Sequence, residues 1–262
     1  MPKVLWHIQV ATGGFNSALR FWQEQLAGYS HPEPLWLDVS NTADDLSFGT
    51  VGLGIGSSDL ERLRQFAASH SSSAARAVTG IFVRQIMRIV EQPDLLLGVT
   101  RKNRRLPGLQ DVVGCFFGLM PMRVKASDTE DLSCTPDDAS LGDLMQQMNK
   151  ASKACFEQWA PMTEIAERCR LAEPARSYLS VLVNYRLRGD DDVIRLGSAE
   201  AQPLTPLLSH NGRAKVAAHC REGPDSLEIN ITHRRTFMSA VAAHSLARDL
   251  KVSWSASIKK IT

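Results

Sequence analysis

The hydrophobic period changes along this chain, and that change limits the folds open to it. Leu60, Leu63, Phe66 and Ala67 fall at the i, i+3, i+4 spacing of a helix, and Val78, Ile81, Phe82, Ile86 and Ile89 repeat it. Leu141, Leu144, Met145, Met148 and Ala151 mark a further helix running toward Phe156, with its methionines on the buried side. From Tyr178 to Leu187 the period becomes two: Leu179, Val181, Val183, Tyr185 and Leu187 are expected to share one face of a strand. The segments 214–220 and 226–232, joined by REGPD, read as a β-hairpin whose apolar face is Leu227, Ile229 and Ile231. Chains that carry both periods must build a sheet and cover it with helices.

Short apolar runs supply the remaining strands. Leu95–Val99 lies between Pro93 and the basic loop RKNRRLPG, and reads as a buried strand. VVGCFFGLMPMRV, Val112–Val124, reads as a second strand with an interruption. The polar stretch 69–77 predicts a turn between helices. Ser58-Asp59-Leu60-Glu61 has the form of a capping box, and GLGIG before it a loosened strand or turn. Lys125–Ser140 is an acidic surface loop, and a last helix is expected from Thr236 to Asp249. The order of helices, strands, helix, strands and helix predicts an α/β sandwich with a mixed sheet rather than a strictly alternating doubly wound fold.

With 262 residues the chain can bury a real core. Thirty basic residues against 28 acidic ones leave a formal charge of +2, which gives no pull toward nucleic acid or a membrane surface. No apolar run approaches the roughly 20 residues that span a bilayer, and no secretory signal is visible. The five cysteines, Cys115, Cys134, Cys155, Cys169 and Cys220, form no C-x-x-C pair, so no metal site is expected. Reduced thiols in a soluble cytoplasmic protein are the simplest expectation.

Several landmarks then fall in a familiar order. RFWQEQLAG holds Trp22, Leu26 and Gly28 in a W-x-x-x-L-x-G pattern. Gly98 and Arg104 occur in the strand and loop DLLLGVTRKNRR. Val113, Gly114, Phe116, Pro121 and Arg123 match V-G-x-F-x-N-T-x-P-x-R. Gln158 and Pro161 match two positions of H-Q-D-x-P-F-E, and Ala175–Tyr185 is loosely similar to R-S-P-L-F-Q-V-M-F-N. In this order the segments resemble the C-terminal half of a condensation domain of nonribosomal peptide synthetases, in the chloramphenicol-acetyltransferase-like, CoA-dependent acyltransferase superfamily. The resemblance covers the chain from about Leu19, leaving 1–18 as an N-terminal extension and 19–262 as one lobe.

The resemblance implies amide-forming acyl transfer between carrier-bound thioesters, with the phosphopantetheine arm of a carrier protein as ligand and no resident cofactor. It implies a tunnel floor at Gly114, Phe116, Gly118, Pro121 and Arg123, and a tunnel wall or lobe interface at Gln158 and Pro161. Arg101, Arg104 and Arg105 become candidates for carrier contact, beside the plainer reading of a solvated loop. A carrier protein or an N-terminal condensation lobe is the implied partner. An apolar lobe face without that partner would favour self-association.

The departures bear on activity. The family's H-H-x-x-x-D-G signature has no counterpart, since the sequence holds no His-His and no Asp-Gly pair. Gly118 and Leu119 replace Asn and Thr, and Glu157 and Trp159 replace His and Asp. No catalytic residue is therefore assigned, and the chain by itself is expected to lack condensation activity. Two alternatives stand beside this reading. One is a non-catalytic module that recognises a carrier or synthetase domain. The other is a stand-alone acyltransferase with a displaced base, for which His219 in HCREGPD is the candidate. For Arg123, an ion pair at the sheet end and a ligand role are both open.

Overall fold

The computed structural model describes residues 14–32, 47–102, 111–114, 117–127, 130–134, 137–158, 160–171, 179–187, 194–201 and 214–258. Along the chain these form α1 (Gly14–Gln25), β1 (Phe48–Ile55), α2 (Ser57–Ser69), α3 (Ala74–Val90), β2 (Asp94–Lys102), β3 (Phe117–Lys125), α4 (Asp138–Glu157) and α5 (Met162–Arg168). Then follow β4 (Val181–Leu187), β5 (Ile194–Leu196), β6 (Ala199–Ala201), β7 (Val216–Glu222), β8 (Leu227–Arg234) and α6 (Ala240–Ile258). Six strands make one mixed sheet in the order β1-β8-β7-β4-β2-β3. β2, β4 and β7 run parallel to one another, and the remaining pairs are antiparallel. β5 and β6 form a separate small hairpin. The expected α/β architecture with a mixed sheet is what the chain adopts.

Register explains the two cores. Residues Leu97, Val181, Val216 and His233 stand in one row across four strands, and Val99, Val183, Ala218 and Ile231 in the next. Side chains of such rows share one sheet face. Leu95, Leu97, Val181, Val183, Ile229 and Ile231 join the main core, with Phe66, Phe82, Met145 and Leu246 from helices α2, α3, α4 and α6. Leu96, one residue out of phase, belongs to the second core with Trp22, Leu26, Ile165 and Leu179. Helices α1 and α5 therefore cover the opposite face near β2 and β3. Gly98 permits this layer, since a Cβ there would lie 2.5 Å from Leu182 Cδ2 and 3.1 Å from Leu179 Cδ1.

Five expectations are corrected by the structure. The second strand does not start at Val112: residues 111–114 are exposed, and β3 begins at Phe117. Leu179 does not share the face of Val181, because it precedes β4 and packs in the second core. Leu187, expected on that face's apolar row, is instead largely exposed at the end of β4. Ser58 is not a cap. Only Gly56 separates β1 from α2, so α2 starts at Ser57 with no side-chain cap, and Leu60 N–H donates to the Gly56 carbonyl at 2.9 Å. Finally, α6 runs from Ala240 to Ile258 rather than from Thr236 to Asp249. Phe237 and Met238 N–H both return to the Arg234 carbonyl in a turn, and buried Ser253 and Trp254 carry the packing past Asp249.

Candidate functional site

The residues expected to form a tunnel floor do not line one surface: Pro121 and Arg123 lie on the sheet face of Leu96, and Gly114 lies outside the sheet. Gly114 lies in the exposed segment before β3, and Gly118 sits at the start of β3 opposite Arg101. Pro121 stands opposite Gly98 on the edge strand, where a missing N–H is tolerated. Its carbonyl accepts the Cys155 thiol at 3.4 Å. Phe116, Arg104 and Arg105 lie outside the described residues, as does Cys115. The four other cysteines are free thiols.

Arg123 is bonded on every side. Its Nε and Nη2 donate to Asp94 at 2.9 and 2.6 Å, and Nη1 donates to the carbonyls of Ala27 at 2.8 Å and Gln25 at 3.2 Å. The guanidinium also lies 5.4 Å from the centre of the Tyr29 ring. The Asp94 hydrogen bond is the largest cause that raises its pKa further. Tyr29 in turn accepts the Leu96 N–H at 3.1 Å, and burial raises its hydroxyl pKa well above the usual phenol range. Gln158 caps α4, and its carbonyl accepts Trp22 Nε1–H at 2.7 Å. Pro161 caps α5, which packs on α1. Gly28 has φ of +67°, a left-handed value that suits glycine where the chain leaves α1. Arg123, Gln158 and Pro161 thus gather with Trp22, Leu26 and Gly28 to fasten α1.

A different constellation opens at the carboxyl ends of the parallel strands, the place where open α/β sheets most often hold ligands. A cleft of about 600 Å³ runs between the start of α3, the end of α4 and the ends of β2, β4 and β7. Val99, Met120, Met122 and Cys155 form its apolar wall, with Thr100 beside them. Ser72, Ser73, Ala74 and Arg76 line it from the start of α3. At the rim, Arg64 Nε and Nη2 donate to Glu222 Oε1 at 2.9 and 2.8 Å. Tyr185 donates to Glu222 Oε2 at 2.5 Å. Arg64 also reaches the carbonyls of Gly223 and Pro224, both at 3.2 Å, and so ties the β7–β8 turn to α2. Burial, then the hydrogen bond to Glu222, pushes the Tyr185 hydroxyl far up, so Tyr185 stays protonated.

Sequence reading missed Arg64, Arg76 and Tyr185 as site residues, and singled out Glu222 only as a mismatch within HCREGPD. One signal was available: two arginines and a glutamate near predicted element ends. Nothing in the linear order joins Arg64 to Glu222, 158 positions apart. His219 lies on β7 with its Nε2 3.4 Å from Thr232 Oγ1. It faces away from the row of Ala218 and Cys220, on the other side of the sheet from Glu222. Among the described residues no histidine lines the cleft. No described helix is long and apolar enough to cross a membrane.

The model of the Condensation domain family matches residues 4–231, a span that opens inside the stretch read as an extension. A linear gramicidin synthase of Brevibacillus parabrevis is 31% identical over 114 residues, 42% of this chain and 2% of that protein. In fold, the chain is similar to the X-domain of teicoplanin biosynthesis, solved in complex with OxyB. That likeness has a TM-score of 0.72 at 18% identity, over 94% of this chain and 53% of the other. It is also similar to the condensation domain of the Monacolin K polyketide synthase MokA, with a TM-score of 0.72 at 13% identity, over 97% of this chain and 59% of that one. The chain therefore spans little more than half of these solved domains and a few hundredths of the gramicidin synthase. A match running from residue 4 to residue 231, on a sheet of the same architecture, places this chain in the condensation-domain family.

Proposed function

We propose that the chain acts as the C-terminal lobe of a condensation site in nonribosomal peptide synthesis, presenting one wall of the passage where carrier-bound thioesters meet. The observation that carries this reading is the cleft at the carboxyl ends of β2, β4 and β7, beside the start of β3 in a family-matched segment. Its volume and apolar wall suit the thin arm of phosphopantetheine and the acyl group at its end. Amide formation needs a base or positioning group for the attacking amine and dipoles for the developing oxyanion. The sequence holds no His-His pair, and His219 lies on the far side of the sheet. The chemistry then falls to a partner lobe bearing H-H-x-x-x-D-G, while this chain holds the arm and excludes water. The test pairs the full chain with carrier proteins, with and without the arm, and then adds an N-terminal condensation lobe. Tighter binding of the armed carrier and amide formation only with the added lobe are expected. Failure to bind any armed carrier would sink the reading.

A second reading is a recognition module without chemistry. Gly118 and Leu119 favour it, because they remove polar groups where the family carries Asn and Thr. The same experiment separates the two: carrier binding without amide formation, even with an added lobe, is the outcome of the second.

A further inference from the structure

Among the described residues, one cation in the cleft has a buried donor without an acceptor. Arg76 is the third residue of α3, and its backbone N–H is satisfied by Ser73. Its side-chain Nε is buried from solvent and has no hydrogen-bond partner. The neighbouring charges cannot serve it, since Glu222 is already engaged by Arg64 and Tyr185. Burial lowers the Arg76 pKa, as expected of a cation without a carboxylate partner. A buried charged donor is ordinarily paired, and an unsatisfied one calls for a missing partner, while the half-buried rest of the side chain lines the cleft. Beside it lies an apolar wall of Val99, Met120 and Met122, of which both methionines can adapt to an irregular guest.

We propose that the cleft binds an anionic oxygen group, carboxylate or phosphate, on the Arg76 guanidinium, with the apolar body of the same ligand against Val99, Met120 and Met122. Planar, forked donation suits both anions. The two sources are the phosphate of the pantetheine arm and the carboxylate of a free N-acyl amino acid, one not bound as a thioester. The inference rests on the cleft being the ligand site, as read above, but not on the ligand being a carrier arm.

The test uses the full chain and two pairs of probes, followed by ligand-observed NMR and calorimetry. One pair is 4′-phosphopantetheine and pantetheine; the other is an N-octanoyl amino acid and its amide. At least one anionic probe is expected to bind about tenfold tighter than its neutral twin. Arg76→Met should erase that difference, Arg76→Lys should keep part of it, and the melting temperature of Arg76→Met should stay equal or rise. Equal binding within both pairs, discrimination that survives Arg76→Met, or no binding of any probe overturns the proposal. The outcomes also separate it from the arm reading. If the pantetheines bind, neither pair discriminates and Arg76→Met alters nothing, the anion site falls and the arm reading stands. If only the N-octanoyl amino acid binds, and through Arg76, the arm reading falls and the anion site stands.

Discussion

Arg84 shows how much one side chain can hold. It lies in the middle of α3 and is 1% exposed. Its Nε donates to Glu130, and its two terminal nitrogens donate to the carbonyls of Leu132 at 2.9 Å and Asp131 at 2.8 Å. The pair is largely out of water, so its removal leaves a carboxylate and two carbonyls without a donor. Arg84→Ala is expected to cost about 3–5 kcal/mol in a urea unfolding experiment. A loss below about 1 kcal/mol would mean that the 130–132 segment finds other donors. In the sequence Arg84 was legible only as a polar break in the run Val78–Ile89. Its acceptors come from the acidic segment expected to be a surface loop. Arg123 was closer to legible: an ion pair was one of its two expected roles, and Asp94 provides it across the β2–β3 pair.

At the scale of elements, α1 is attached by a few polar bonds around a small core. Trp22, Leu26, Leu19 and Ala18 are buried with Leu96, Ile165 and Leu179. The Trp22 ring adds a hydrogen bond to the Gln158 carbonyl, and Arg123 holds the helix end. Trp22→Phe keeps much of the apolar surface but removes the donor and one ring of the indole from a buried position. It should lower stability by about 1–2 kcal/mol, with no change in helix content by circular dichroism. An unchanged unfolding midpoint would show that the bond to Gln158 contributes nothing. The pattern W-x-x-x-L-x-G was legible as a landmark, and the structure supplies its physics: two buried anchors and a left-handed glycine. The extra turns of α6 were not legible. Lys251, Ser253 and Ser255 interrupt the apolar period, and buried Ser253 is accommodated only because Gln85 donates to it at 2.9 Å.

For the whole molecule, buried acids with raised pKa set the response to alkali. Burial pushes the Cys220 thiol from its ordinary 9.0 up to about 12, and Tyr185 and Tyr29 are also raised. The folded state then keeps protons that the unfolded chain releases. These contributions are fully present below pH 9 and are lost as pH rises toward the folded values. Stability should therefore fall from about pH 9 upward, by up to ~1.4 kcal/mol per pH unit for Cys220 alone. Thermal melts between pH 8 and 11 check this, with Cys220→Ala showing the shallower slope. A flat profile over that range would contradict the burial of these groups.

The linear order of residues was enough to set the periods of the strands and helices, the mixed α/β class and the order of landmarks that a family shares. Those properties are local: alternation, spacing and turn chemistry follow from neighbours in the chain. Which residues meet depended on how the elements pack. The sheet order brings β4 between β2 and β7, so that Tyr185 and Glu222 share an end with Met120, and α2 carries Arg64 onto Glu222. It also sent Arg123 to α1 and left Arg76 Nε without an acceptor among the described residues, beside the cleft wall. Ion pairs and clefts depend on distances between segments far apart in the chain. Hydrophobic period fixes which face of an element is buried, but not which other element arrives there.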